Sequence, residues 1–322
     1  MSPAPDSSGA DGRTVRWRMT VAYDGSGFHG FAAQNGQHTV AGALTEALER
    51  ILGEPVTLTC AGRTDAGVHA LDQVVHFDVD QSVSARIDPA SVTKSCNSQL
   101  APAVVARSLE PAPEGFDARR SASARRYRYL VLNAPVPDPL LRGLTWHVID
   151  PLDLRQLRAG ADSLLGEHDF RAFCRRPAGS SPEEPIHRRV LEASWSRLSE
   201  CGAAFRGPRG AAPAPTVAPA PAVGDLYSFE IEATAFCHQM VRSIVATLVD
   251  VGRGRKRPSD IPWILRSADR RHASQPAPAW GLTLVAVRYD GANHGSDGLP
   301  APSGATYPGM LPERPPVSRQ GP

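Results

Sequence analysis

Cysteine is scarce in this chain. Its five cysteines, Cys60, Cys96, Cys174, Cys201 and Cys237, are scattered, odd in number and free of any CxxC pair. That spacing offers neither a disulfide framework nor a zinc site, so a reduced, cytoplasmic setting is expected. Long apolar runs are missing too, and no stretch approaches the ~20 residues of a membrane span. The opening "MSPAPDSSGADGRT" has no basic start followed by an apolar run, so no signal peptide is expected. There is no glycine-rich nucleotide-binding loop, and no nucleotide cofactor is expected.

Net charge is also small, +2 over 322 residues, so the chain as a whole is no polycation. Its arginines are nevertheless clustered. Arg119, Arg120, Arg125, Arg126 and Arg128 crowd one stretch, and Arg253, Arg255, Lys256 and Arg257 another. Each phosphate that such a cluster neutralises releases counterions, which suits a polyanionic partner. A solvated surface patch is the ordinary alternative for any one cluster. Several clusters in a nearly neutral chain turn the reading towards nucleic acid.

What is present supports a sizeable core, since 41% of residues are hydrophobic. The folded part is expected over 15–290, between a polar N-terminal tail (1–14) and a Gly/Pro/Ser-rich C-terminal tail (291–322), both expected to be disordered. Val15, Trp17, Met19, Val21 and Tyr23 alternate as a strand. Thr39 caps a helix through Val40, Leu44, Leu48 and Leu52 that Gly53 ends. Strands are expected at 56–59 and 73–79, a helix from Asp88-Pro89, and a strand at 104–109. The second half repeats these ingredients: strands at 126–132, 189–197, 226–234 and 282–289, and helices at 153–165, 238–251 and around 261–265. The Ala-Pro text of 202–223 forbids a helix and reads as a long flexible loop.

Four residues stand out chemically. Asp65 lies in "CAGRTDAGVHALDQ" (60–73), whose small residues leave room for a ligand against the backbone. A carboxylate on a strand-to-strand turn can act as nucleophile or base. It can also simply bond its own loop as an Asx-turn. Arg63, two residues before it, is not needed for such a turn. Arg242 borders the apolar face of its helix, where a half-buried guanidinium needs an anion, either Asp65 or a phosphate. The alternative is a stem that snorkels to solvent. Tyr127 shares a strand face with Tyr129, with Arg126 and Arg128 opposite. A ring beside cations suits a nucleobase and its phosphates, although core tyrosines look the same. His69, Asp72 and His76 with Asp65 leave a metal-dependent hydrolase as a rival, though a strand would point them to opposite sides.

"AGRTDAGVHA" resembles the signature of the tRNA pseudouridine synthase A family. "AYDGSGFHGF" (22–31), "QVVHFD" (73–78), "SASARRYRYLVLN" (121–133), "LLGEHDFRAF" (164–173), "FCHQMVRSIVATLVDVGRG" (236–254) and "GLTLVAVRYD" (281–290) resemble further blocks in family order. Departures are Ala32-Ala33 where the family usually has a glutamine, the Ala-Pro loop, the long tail, and a poorly aligning 175–188. The resemblance implies the α+β pseudouridine synthase fold: a central mixed, mostly antiparallel sheet flanked by helices. Two related half-domains, here 15–118 and 119–290, would face a basic cleft. It implies a homodimer that isomerises uridines at positions 38–40 of the tRNA anticodon stem-loop without metal or cofactor. By position, Asp65 matches the catalytic aspartate, Arg63 the arginine two residues before it, Tyr127 the tyrosine contacting the target uridine, and Arg242 the arginine pairing with the aspartate. A non-catalytic RNA-binding protein on the same scaffold is the second rival.

Overall fold

The computed structural model describes residues 13–176, 179, 181, 183–198 and 224–289. The Ala-Pro segment, the C-terminal tail and residues 1–12 lie outside them. Ten strands form one mixed sheet: β1 (Thr14–Tyr23), β2 (Thr59–Cys60), β3 (His69–Asp80), β4 (Val104–Pro111), β5 (Ala124–Asn133), β6 (Trp146–Val148), β7 (Gly166–Asp169), β8 (His187–Arg197), β9 (Asp225–Ala233) and β10 (Leu282–Arg288). The main path runs β4-β1-β3-β10-β5-β9-β8-β7, with β2 on β3 and β6 on β5. Among the described strands, the β10–β3 and β5–β6 pairs are parallel and the others antiparallel. This is the mixed, mostly antiparallel α+β sheet that the family resemblance implied.

Strand alternation decides the core. Trp17, Met19, Val21 and Tyr23 of β1 and Tyr127, Tyr129 and Val131 of β5 all point inward. Among the described residues the α-helices are α1 (Val40–Leu52), α2 (Gln81–Ser84), α3 (Pro89–Leu100), α4 (Leu154–Asp162), α5 (Met240–Gly252) and α6 (Asp260–Ser267). Thr39 accepts the Gly42 N–H at the start of α1, and Gly53 closes it in the left-handed region at φ 77°. Asp88 caps α3 by accepting from Ser91, with Pro89 in its first turn. α1 packs on α3, and α4 on α5 and β8. α5 is apolar almost all round, because it is buried between α4 and the rest of the core.

Several sequence expectations need correction. The first strand begins at Thr14, one residue inside the expected tail. The strand expected from 56 shrinks to Thr59–Cys60, whereas the next starts at His69, four residues early and inside the signature itself. The Val68 N–H bonds the Asp65 carbonyl, and this tight turn lets pairing resume at once, with Ala70 opposite Tyr23. The helix expected from 238 starts at Met240, which leaves His238 on the loop before it. Strands β6 and β7 were not foreseen; three or four residues are too few to show a period.

Cysteine pairing is a second correction. Cys174 and Cys237, 63 residues apart, form a disulfide with Cα atoms 5.7 Å apart. That separation is within the window such a bridge requires. No local spacing could reveal it, because the sheet brings the two segments together.

His76 is buried on β3, where its Nδ1 accepts the Ala118 N–H at 3.0 Å. Burial, helped by Arg16, holds its pKa below the ordinary histidine value. The unfolded chain therefore binds this proton first, so the contribution of His76 is complete above about pH 6.5 and is lost as pH falls below it. Unfolding free energy measured from pH 7.5 to 5 should fall less steeply for His76→Asn, which keeps an acceptor, than for the wild type.

Candidate active site

The signature loop joins β2 to β3 and is fastened from four sides. Gln73 on β3 is fully buried, and its side-chain amide donates to the Gly62 carbonyl at 2.6 Å and accepts the Gly62 N–H at 3.4 Å. The Tyr23 hydroxyl lies 2.8 Å from Thr64 Oγ1. Phe31 donates its N–H to the Thr64 carbonyl at 3.1 Å. Arg125 reaches the Ala61 carbonyl. The block 22–31 folds directly onto this loop. A Cβ on Gly25 would stand 2.1 Å from the Val68 carbonyl oxygen, and Gly30, at φ 92°, would press one to 2.9 Å from that of Thr64. Only glycine lets the two backbones approach so closely.

So held, Asp65 turns its carboxylate away from its own loop. Arg242 Nη1 donates to Oδ2 at 3.0 Å, and His238 Nε2 lies 3.4 Å from Oδ1. The pair spans 177 positions of sequence. Arg242 is itself locked: its Nε donates to the Ala277 carbonyl at 2.7 Å, and its own carbonyl accepts from the Ala277 N–H at 3.0 Å. Asp65 keeps 23% of its side chain exposed, so the carboxylate is paired yet still reachable.

Tyr127 is buried beside this loop, with its hydroxyl facing Gly62 and its ring edge-on to Phe236 at 5.1 Å. Burial raises the phenol well above the ordinary tyrosine range, and Tyr23 and Asp65 add to the rise. Tyr127 is therefore a neutral phenol and not a phenolate. Arg63 stands exposed on the same loop. The structure thus brings Asp65, Arg242 and Tyr127 to one place, with Arg63 at its edge. Beside them opens a cavity of about 1120 Å3, lined by Arg171, Arg175, Arg176, Gln239, Arg242, Asp269, Arg270 and Arg271.

The arginine clusters read from the sequence do not supply this basic surface. Arg126 pairs with Glu192 and Glu232, both at 2.7 Å, and Arg128 with Glu230 at 2.6 Å. Arg253 and Arg255 share Asp150, and Lys256 donates to the His272 carbonyl. Charge density along the chain could not reveal that the cross-strand neighbours are carboxylates. The cavity's arginines come instead from separated segments around 171–176 and 270–271, and two of them are also paired, Arg171 with Asp169 and Arg271 with Asp269, both at 2.6 Å.

His69 and His76 likewise serve the fold. His69 accepts the Gly25 N–H at Nδ1, and its Nε2 lies 2.9 Å and 3.0 Å from the Gly143 and Trp280 carbonyls. Among the described residues, no three His, Cys, Asp or Glu side chains are placed to share a metal ion. The sequence reading missed Gln73, His238, Phe236 and Arg125. Arg125 alone carried a signal, since alternation places it on the inward face with Tyr127.

A family model described as tRNA pseudouridine synthase matches residues 19–119 and 161–290. A protein of Frankia casuarinae named tRNA pseudouridine synthase A is 41% identical over 277 residues, covering 85% of this chain and 89% of that protein. One of Dechloromonas aromatica with the same name is 37% identical over 92% of this chain and 100% of its own length. A Methylobacterium relative, again of that name, is 40% identical over 85% of this chain and 97% of its own length.

Cys60 is the other potential nucleophile of the signature. Burial raises its thiol to about 11, against the pull of Arg63 and Arg119. At pH 7.5 its thiolate fraction is about a hundredfold below that of an ordinary cysteine. Mass-spectrometric timing of iodoacetamide labelling should show Cys60 alkylated correspondingly more slowly than a free thiol.

Proposed function

The chain belongs to the tRNA pseudouridine synthase family of isomerases, and from that premise we propose that it converts uridine to pseudouridine at positions 38–40 of the tRNA anticodon stem-loop, with Asp65 as nucleophile or base. The observation that carries this reading is the Asp65 carboxylate, paired at 3.0 Å with Arg242 and still exposed beside an arginine-lined cavity.

The chemistry is an isomerisation. The bond between N1 and C1′ breaks, the uracil turns, and a bond forms between C5 and C1′ while the C5 proton leaves and N1 takes up a proton. No atom is gained and no electron is transferred, so the balance requires neither metal nor cofactor. Breaking a bond at C1′ gives that carbon oxocarbenium character, which a carboxylate can meet directly. Asp65 attacks C1′, adds to the base, or removes a ribose proton. Arg242 holds and orients it in each case. Tyr127 offers a ring for the uracil, and Arg63 stands where the vacated stack would be. Arg175 and Arg271, exposed at the cavity, suit the phosphates of the stem-loop.

The wider reading follows the family. The halves 15–118 and 119–290 flank the cleft, and the enzyme works in the cytoplasm as a homodimer. Val136, Leu140 and Ile149, exposed on the connection around β6, are apolar surface that a second copy would cover. Light scattering should give twice the 34.4 kDa chain mass; a monomer would overturn this part.

Tritium release from C5-labelled uridine in unmodified tRNA tests the reaction. In EDTA the wild type should release tritium from sites 38–40, and Asp65→Asn should lose at least about a thousandfold in rate. Arg242→Gln should lose about a hundredfold in kcat with KM for tRNA little changed. Chelator-sensitive activity would favour the hydrolase reading, and tRNA binding without release the RNA-binding one.

A further inference from the structure

Arg125 is 8% exposed, and no carboxylate answers it among the described residues. All its acceptors are backbone carbonyls. Nε and Nη2 donate to Ala61 at 3.3 and 2.9 Å, and Nη2 also to Arg119 at 2.6 Å. Nη1 donates to Ala122 at 3.0 Å and to Thr234 at 2.9 Å. These are five bonds for the five N–H groups of a guanidinium, with none left over. Burial lowers its pKa from the ordinary arginine value, yet arginine keeps its charge where lysine readily loses it.

The positions of these carbonyls matter more than their number. Ala61 begins the signature loop, four residues before Asp65. Thr234 follows β9 and opens the segment that leads through Phe236 and His238 to Arg242. One planar group thus binds the backbone on both sides of the Asp65–Arg242 pair. We propose that Arg125 is a positioning residue for the reaction: by tying Ala61 to Thr234, its guanidinium sets the approach of the Asp65 carboxylate to Arg242. This rests on the reading of Asp65 as the reacting group. A lysine cannot do the same, because three donors on one nitrogen do not span four carbonyls.

A residue needed only for stability would scale activity equally in any background, whereas a residue acting through the pair should lose its effect once the pair is gone. Single-turnover tritium release, with tRNA KM determined in parallel, is measured for wild type, Arg125→Lys, Arg242→Gln and the double variant. Arg125→Lys should cost about a hundredfold in kcat, as sub-ångström to ångström misplacement does, with KM within about threefold. In the Arg242→Gln background the same change should cost less than about threefold. Equal losses in both backgrounds, a loss confined to KM, or a near-normal Arg125→Lys would overturn the proposal. Should Arg125→Lys lack a native far-UV spectrum, Arg125→Gln enters the same cycle under the same criteria. If neither variant folds, Arg125 serves the fold as a whole and the positioning role falls. An inactive wild type overturns the functional reading and this inference together; an active wild type with additive losses overturns the positioning role alone.

Discussion

Three strands in one register decide where the rest of the site stands. The last strand, β10, pairs in parallel with β3 and antiparallel with β5, so Leu284 lies opposite Ala70 on one side and Tyr127 on the other. That alignment sets the end of the signature loop and the inward tyrosine at a fixed separation. A slip by one residue would turn Tyr127 outward and Arg126 into the core. The strands from residues 14–111 and those from 124–233 meet only through this insertion on the main path of the sheet. The Asp65–Arg242 pair bridges this seam, since its two members come from either side of it, whereas the cavity beside the pair is lined from residues 171–276 alone.

Charge is used in two ways around that seam. On the outward face of β5, arginines meet the glutamates of β8 and β9 across the strands; Glu192 and Glu230 are partly exposed, where such pairs are worth little individually, whereas Glu232 is buried. On the inward face one arginine is buried and satisfied entirely by carbonyls, because a desolvated charge must be hydrogen-bonded or it is costly. The catalytic candidates lie between these extremes. Asp65 and Arg242 are close enough to pair and open enough to meet a substrate. A fully buried pair would be a structural feature, and a fully exposed one would hold no geometry.

The neutral groups follow the same logic. Tyr127 and Cys60 are both kept protonated by burial, which silences two potential nucleophiles or bases beside the carboxylate.

Much of this was legible in the sequence. Period-two alternation identified β1 and β5, and caps at Thr39 and Asp88 identified two helix starts, because these signals depend only on neighbours along the chain. The spacing of Arg242 demanded an anion, and the family blocks named Asp65 as a candidate. The partners themselves were not legible. That Asp65 is the anion, that Arg126 and Arg128 face glutamates, that Cys174 meets Cys237, and that Arg125 finds carbonyls from separate segments all depend on which strands lie side by side. The sequence by itself determined the elements and the reactive side chains, since local sterics and apolar periodicity suffice for those. Only the tertiary structure decided which charges are consumed by the fold and which remain for a substrate, because pairing across a sheet is set by register between distant segments.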